Sequence, residues 1–135
     1  MTRLKVLLVD DNPAILATLE EILRDFAIVA TLTHGRDVVA RAEELKPDVI
    51  VLDISLDDVN GFEVATALKA NQNRAQIVFL SIHEDAEFVR KGFECGASGY
   101  VFKSQMSKLP KAIRAVAAGR SYNPVIFGLK RPEGD

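Results

Sequence analysis

Residues 4–13 read LKVLLVDDNP. The run LKVLLV at 4–9 is too short for a helix and shows little polar alternation, which suits a strand buried on both faces. Two acids follow. Asn12-Pro13 then reads as a helix N-cap and first helical residue, and Ile15, Leu19, Ile22 and Leu23 continue as one apolar stripe at helical spacing. The stretch is therefore strand, acid pair, helix. The same unit recurs along the chain. AIVATL (27–32), DVIVL (48–52), QIVFL (76–80) and SGYVF (98–102) have strand length and strand composition. Helical patterns follow them at 36–45 (stopped by Pro47), 61–70, 84–95 (ended near Gly96) and 107–118 (ended by Gly119). Pro110 falls in the first turn of the last helix, where a missing N–H costs little. Five strand–helix units in alternation predict an α/β domain: a doubly wound, five-stranded parallel sheet with right-handed crossovers and order 2-1-3-4-5.

The composition agrees with one domain built this way. The chain has 135 residues, 48% hydrophobic and 27% charged, which is globular rather than disordered. No apolar run approaches the ~20 residues of a membrane span. Acids stand where a signal peptide would need its cleavage site, and the expected location is cytoplasmic. One cysteine excludes an internal disulfide, and two distant histidines, His34 and His83, make a zinc site an unfavourable reading. The net charge of −2 is unevenly spread: residues 103–135 carry seven basic and two acidic side chains, the rest ten basic and seventeen acidic. An acidic body argues against nucleic-acid binding by the domain itself. No repeat or low-complexity segment interrupts it.

In open parallel sheets, ligands bind beyond the carboxyl ends of the strands, at the switch point between strands 1 and 3. Those ends carry Asp10-Asp11 after strand 1, Asp53 after strand 3, Ser81 after strand 4 and Lys103 after strand 5. Each has an ordinary alternative as a cap or solvated loop residue, but all share one sheet edge. Carboxylates packed together repel unless a cation intervenes, and a hard divalent ion such as magnesium suits oxygen ligands. A carboxylate beside such an ion can attack phosphorus and form an acyl phosphate. The Ser81 hydroxyl and the Lys103 ammonium can then hold phosphoryl oxygens.

LLVDDNP, VIVLDISLDDVNG, IVFLSIH and GASGYVFKS together resemble the receiver domain of two-component response regulators, over roughly residues 4–119. The resemblance implies the flavodoxin-like receiver fold. It implies a phosphoacceptor at Asp53 and magnesium at Asp10, Asp11, Asp53 and the backbone carbonyl of Ser55. It further implies a catalytic and switch hydroxyl at Ser81, a catalytic lysine at Lys103 and a switch aromatic at Tyr100, which would turn from outside to inside on phosphorylation. The implied partners are a sensor histidine kinase or phosphotransfer protein, and a phosphorylation-dependent second copy docking through the fourth helix, fifth strand and fifth helix. No separate substrate turnover is expected. The ending AIRAVAAGRSYNP is similar to the NarL/LuxR-type subclass, in which a helix-turn-helix domain follows. The expected division is a receiver over 1–120 and a tail or truncated linker over 121–135, with any DNA contact made by an output domain beyond it.

Two departures carry expectations of their own. The family usually has proline where this chain has Asp57, and with Asp58 beside it the loop should be more acidic and less rigid. The position after the hydroxyl is usually small, and Ile82 there should crowd the motion of Ser81 and Tyr100. His83 reads as an exposed loop residue or a gate on water access, Cys95 as a small buried residue, and His34 carries no role. Three rivals are weighed. A haloacid dehalogenase-type aspartyl-phosphate phosphohydrolase needs Asp-x-Asp after strand 1, where this chain has Asp10-Asp11-Asn12. A flavin or nucleotide carrier needs a phosphate-cradling Gly/Ser/Thr loop in place of the acids. A pseudo-receiver, acting only as an interaction module, would not need the full set of groups that is present.

Overall fold

The computed structural model describes residues 3–124. It contains β1 (Lys5–Val9), α1 (Pro13–Ile22), β2 (Ala27–Leu32), α2 (Val38–Leu45), β3 (Val49–Asp53), α3 (Gly61–Ala70), β4 (Gln76–Ser81), α4 (Ala86–Glu94), β5 (Gly99–Phe102) and α5 (Leu109–Ala117). Short 3-10 turns at Gly35–Asp37 and Lys103–Lys108 lead into α2 and α5. The sheet is parallel, in the order β2-β1-β3-β4-β5, as expected from the alternation.

Strand side chains point alternately to the two faces, and the core divides accordingly. Val6, Leu8, Val49, Val51, Val78, Leu80 and Val101 face α1 and α5, meeting Leu16, Leu19, Ile113 and Val116. Leu7, Val9, Ile50, Leu52, Ile77, Phe79 and Tyr100 face α2, α3 and α4. β3 lies at the centre and is buried along its whole length.

The caps follow local chemistry. Asn12 Oδ1 accepts from Ala14 N–H at 2.9 Å, and Asn60 Oδ1 from Phe62 N–H at 2.7 Å. Gly96, at φ +105°, lets the chain leave α4 in the left-handed region.

Past α5 the chain returns to the sheet. Tyr122 N–H donates to Ser98 O at 2.9 Å and Tyr100 N–H donates to Tyr122 O at 3.1 Å, a parallel bridge along the free edge of β5. The packed unit thus reaches beyond position 120. The remainder of the expected tail, 125–135, lies outside the described residues.

Candidate functional site at the carboxyl edge of the sheet

The register sets the site. β3 ends with Asp53 opposite Leu80 of β4, and Ser81, one residue on, lies opposite Phe102, which Lys103 follows. β1 delivers Asp10 and Asp11 beside β3. Carboxylate oxygens of Asp10, Asp11 and Asp53 all lie within 4.8 Å of one another. Lys103 Nζ is 3.0 Å from Asp10 Oδ2 and 3.2 Å from Asp53 Oδ2. Asp10 and Asp53 are almost wholly buried, at 1% and 4% exposure.

Burying charge is costly, and the pairing here is incomplete. Asp10 Oδ1 accepts from Asn12 N–H at 2.9 Å. Its Oδ2 receives no well-aligned hydrogen bond, although the Lys103 ammonium stands close by. Asp53 Oδ1 accepts from Ser55 N–H at 3.2 Å. Burial, and then the charge of Asp10, push the Asp53 carboxyl up to about 6, against the opposing pull of Lys103. Burial also raises Asp11, reinforced by a hydrogen bond with Asp57 and by the charges of Asp57 and Asp10. For Lys103, burial lowers the pKa, but the adjacent Asp10 and Asp53 carboxylates outweigh it, and the net shift is upward. Three carboxylates cluster around one ammonium that pairs with only two of them, and one buried oxygen lacks a good donor. That donor set fits a hard divalent cation.

Ser81 is buried at this edge, yet its Oγ is engaged by His83 N–H at 3.0 Å rather than by the carboxylates. Tyr100 is fully buried, and its hydroxyl donates to His83 O at 2.8 Å. Burial holds the phenol up at about 12. The sequence reading starts this ring outside; the structure has it inside, packed near Phe79 and Phe102.

Two expectations drawn from the departures are corrected. Ile82 does not crowd the switch: it is 67% exposed, because Ser81 takes the inward direction and its neighbour takes the outward one. The 55–60 loop is acidic but not loosely held. Ser55 and Asn60 form a bridge across it, Gly61 N–H donates to Ile54 O at 2.7 Å, and Asp58 bonds two backbone N–H groups of the β2–α2 turn.

His83 is neither simply exposed nor free. Its ring stacks on Phe88, centroids 3.9 Å apart and planes within 11°, and Nε2 lies 3.4 Å from Ser55 Oγ. Sequence reasoning missed Phe88 and Asp58 here. His83 precedes α4 and shares no periodicity with Phe88, and nothing local pairs Asp58 with residue 35.

The comparisons with known proteins identify the family. The family model for the response regulator receiver domain matches residues 6–114, and the chain belongs to that family. It is a receiver domain of the two-component response regulators, and its relatives include regulators of the LuxR family. The DNA-binding transcriptional activator EvgA of Escherichia coli is 33% identical over 131 residues, covering 95% of this chain and 63% of EvgA. The response regulator GacA of Pseudomonas aeruginosa is 31% identical over 123 residues, covering 88% of this chain and 58% of GacA. The chain thus spans about three fifths of the length of these relatives. Among solved structures, a LuxR-family two-component response regulator from an Aurantimonas species superposes with TM-score 0.83 at 32% identity, covering 90% of this chain and 89% of that one. The BeF3-activated DrrB receiver domain gives 0.75 at 32% identity, covering 89% and 100%. Among the described residues, no helix is long and apolar enough to cross a membrane.

Proposed function

We propose that this domain is a phosphoryl-accepting switch with Asp53 as acceptor. The carrying observation is a buried carboxylate at the sheet's switch point, facing two further carboxylates and one lysine. Magnesium, held by Asp10, Asp11, Asp53 and the Ser55 carbonyl, would supply charge neutralisation at the phosphoryl oxygens. A carboxylate oxygen of Asp53 attacks the phosphorus of a phosphohistidine. The new P–O bond forms as the P–N bond breaks, and the imidazole leaves with the electron pair and takes up a proton. Ser55 N–H fixes the orientation of the acceptor through Oδ1. Lys103, already between Asp10 and Asp53, is placed to pair with the added charge. The donor is a sensor histidine kinase or phosphotransfer protein.

The switch then runs through Ser81 and Tyr100. Pulling the Ser81 hydroxyl toward a phosphoryl oxygen breaks its bond from His83 N–H. The same residue's carbonyl holds Tyr100. The α4–β5–α5 face, with Tyr122 on its edge, is where a second copy docks. The output is transcriptional, exerted by a domain that follows the receiver, and the connecting segment begins after the Tyr122 bridge rather than at 121. The domain turns over no separate substrate, and its setting is the cytoplasm.

The test is incubation with magnesium and acetyl phosphate, read by intact mass. One phosphoryl group is expected on the wild-type protein and none on Asp53→Asn. Equal labelling of the two proteins would place the acceptor elsewhere.

A further inference from the structure

The loop between β3 and α3 is fastened at both its base and its tip. The base is closed by the Ser55–Asn60 bridge and by Gly61 N–H on Ile54 O. The tip is held by one carboxylate: Asp58 Oδ1 accepts from Gly35 N–H and Oδ2 from Arg36 N–H, both at 3.0 Å. These N–H groups open the 3-10 turn Gly35–Asp37, and the residue before it, His34, gives them no side-chain cap. Asp58 therefore caps a turn from 22 to 23 residues away. The two loops are in close contact there. A Cβ built on Gly35 would stand 2.4 Å from Val59 Cγ2 and 2.9 Å from Leu56 Cδ1. The hydrogen bonds from Arg36 and then Gly35 hold the half-buried Asp58 carboxyl below the usual carboxylate range, so both acceptors are charged and engaged at neutral pH.

We propose that Asp58 is a positioning residue for divalent-cation binding: its two-point clamp on Gly35 and Arg36 fixes the loop that presents the Ser55 carbonyl to the cation. The proposal rests on the magnesium reading given above. Its physical content is conformational entropy. A proline at 57 would restrict the unfolded and loosely folded loop directly. This chain has Asp57 there, and it restrains the neighbouring position with a charge-assisted pair of hydrogen bonds instead. Among the described residues Asp57 N–H donates to no backbone carbonyl, so a proline would remove no such bond there.

The restraint and the charge of Asp58 make opposite forecasts for one double variant. Magnesium affinity is measured by amide-shift titration of the full chain. Asp58→Ala should weaken it on the order of tenfold, the lower range for losing a residue that supports a ligand. Adding Asp57→Pro to Asp58→Ala should recover most of that loss, because rigidity returns. Asp57→Pro alone measures the change that comes from removing Asp57 beside Asp11; a double variant that recovers no more than the sum of the two single changes would overturn the proposal. Unchanged affinity in Asp58→Ala would overturn it too and leave Asp58 a structural cap. Asp58→Asn keeps one acceptor, should fall between wild type and alanine, and serves in place of alanine if that variant does not fold. A wild-type protein with no magnesium-dependent shifts at residues 10–12 and 53–55 would overturn the magnesium reading and this inference with it. Wild-type shifts without the variant effects would overturn this inference alone.

Discussion

The two edges of the sheet treat their polar side chains in opposite ways. At the amino edge a cleft of about 570 Å³ lies among α2, Leu4 and the α3–β4 turn, with Lys46, Asp48, Asn73 and Arg74 on its walls. Its polar groups serve the backbone: Asp48 Oδ2 accepts from Lys5 N–H at 2.8 Å, and Asn73 Oδ1 from Ala75 N–H at 2.9 Å. At the carboxyl edge three carboxylates converge on one another and on a single lysine, two of them buried. This cleft lies at one edge and the unbalanced charge at the other. Buried like charges are costly to fold, and that cost is why the proposed chemistry is placed at the second edge.

The largest expected difference between the edges is in cation affinity. Asp10→Asn and Asp11→Asn should each weaken magnesium binding at least ~tenfold, since each removes an oxygen donor from the only such cluster among the described residues. Asp48→Asn, which removes an acid from the amino edge, should leave that affinity unchanged. Amide-shift titration compares the three. Weakening by Asp48→Asn equal to that by Asp11→Asn would erase the contrast and leave only a general charge effect.

Close packing gives the next contrast. A Cβ at Gly61 would meet Asp53 O at 2.3 Å and Ile54 Cα at 2.7 Å, both backbone atoms that cannot move aside. Gly61→Ala should cost roughly 3 kcal/mol or more, in the range of severe overpacking, and should displace the end of β3 at Asp53. Gly119, after α5, has φ +86° and nothing within 4 Å of its Cβ position. Gly119→Ala should cost only about 1 kcal/mol, from backbone conformation alone. Urea denaturation measures both. Similar costs would mean that α3 can move off the end of β3.

The third contrast is electrostatic and has a defined pH window. In metal-free protein the folded state keeps the Asp53 proton up to about pH 6, while the unfolded chain sheds it near 3.8. Between those values the folded state holds more protons, so this group's contribution to stability falls as pH rises. Asp53→Asn should therefore stabilise metal-free protein at pH 7 by about 1 kcal/mol, net of the lost Lys103 contact, and the gain should fade as pH falls through 6 toward 4. Stability against urea at pH 7 and pH 5 tests this. A destabilised Asp53→Asn at pH 7 would show that the lysine pairing outweighs burial.

Much of this architecture was legible in the sequence, and the failures have a pattern. β2 and α3 match the expected bounds, and the other strands lie within a residue of them, because their apolar runs and caps are local signals. Asp10, Asp11, Asp53 and Lys103 meet because strand order alone brings strand ends to one edge. Asp58 and Phe88 were missed because their partners lie in other elements, and no periodicity links a loop side chain to a distant backbone. Tyr100 was placed in its strand, but which of two ring positions it occupies depends on the carbonyl of His83, a tertiary contact.

Ile82 is the case in which a pattern misled, and it yields the smallest effect. Substitution of a large residue for a small one beside the switch suggests crowding, but size matters only in the direction the side chain takes. Ser81 points into the fold and Ile82 points out, 67% exposed. The space around Tyr100 is set from the other side, by α4. A Cβ at Gly92 would lie 3.1 Å from Phe79 Cδ2 and 3.2 Å from Tyr100 Cδ2. Gly92→Ala should therefore press on the ring and shift its population measurably. Ile82→Ala should leave that population unchanged and alter stability by no more than about 0.5 kcal/mol, as for an ordinary surface substitution. Ring populations from NMR, with and without beryllofluoride, compare the two variants. A response to Ile82→Ala matching that to Gly92→Ala would mean that Ile82 turns inward as the switch moves, and that the crowding belongs to the activated state.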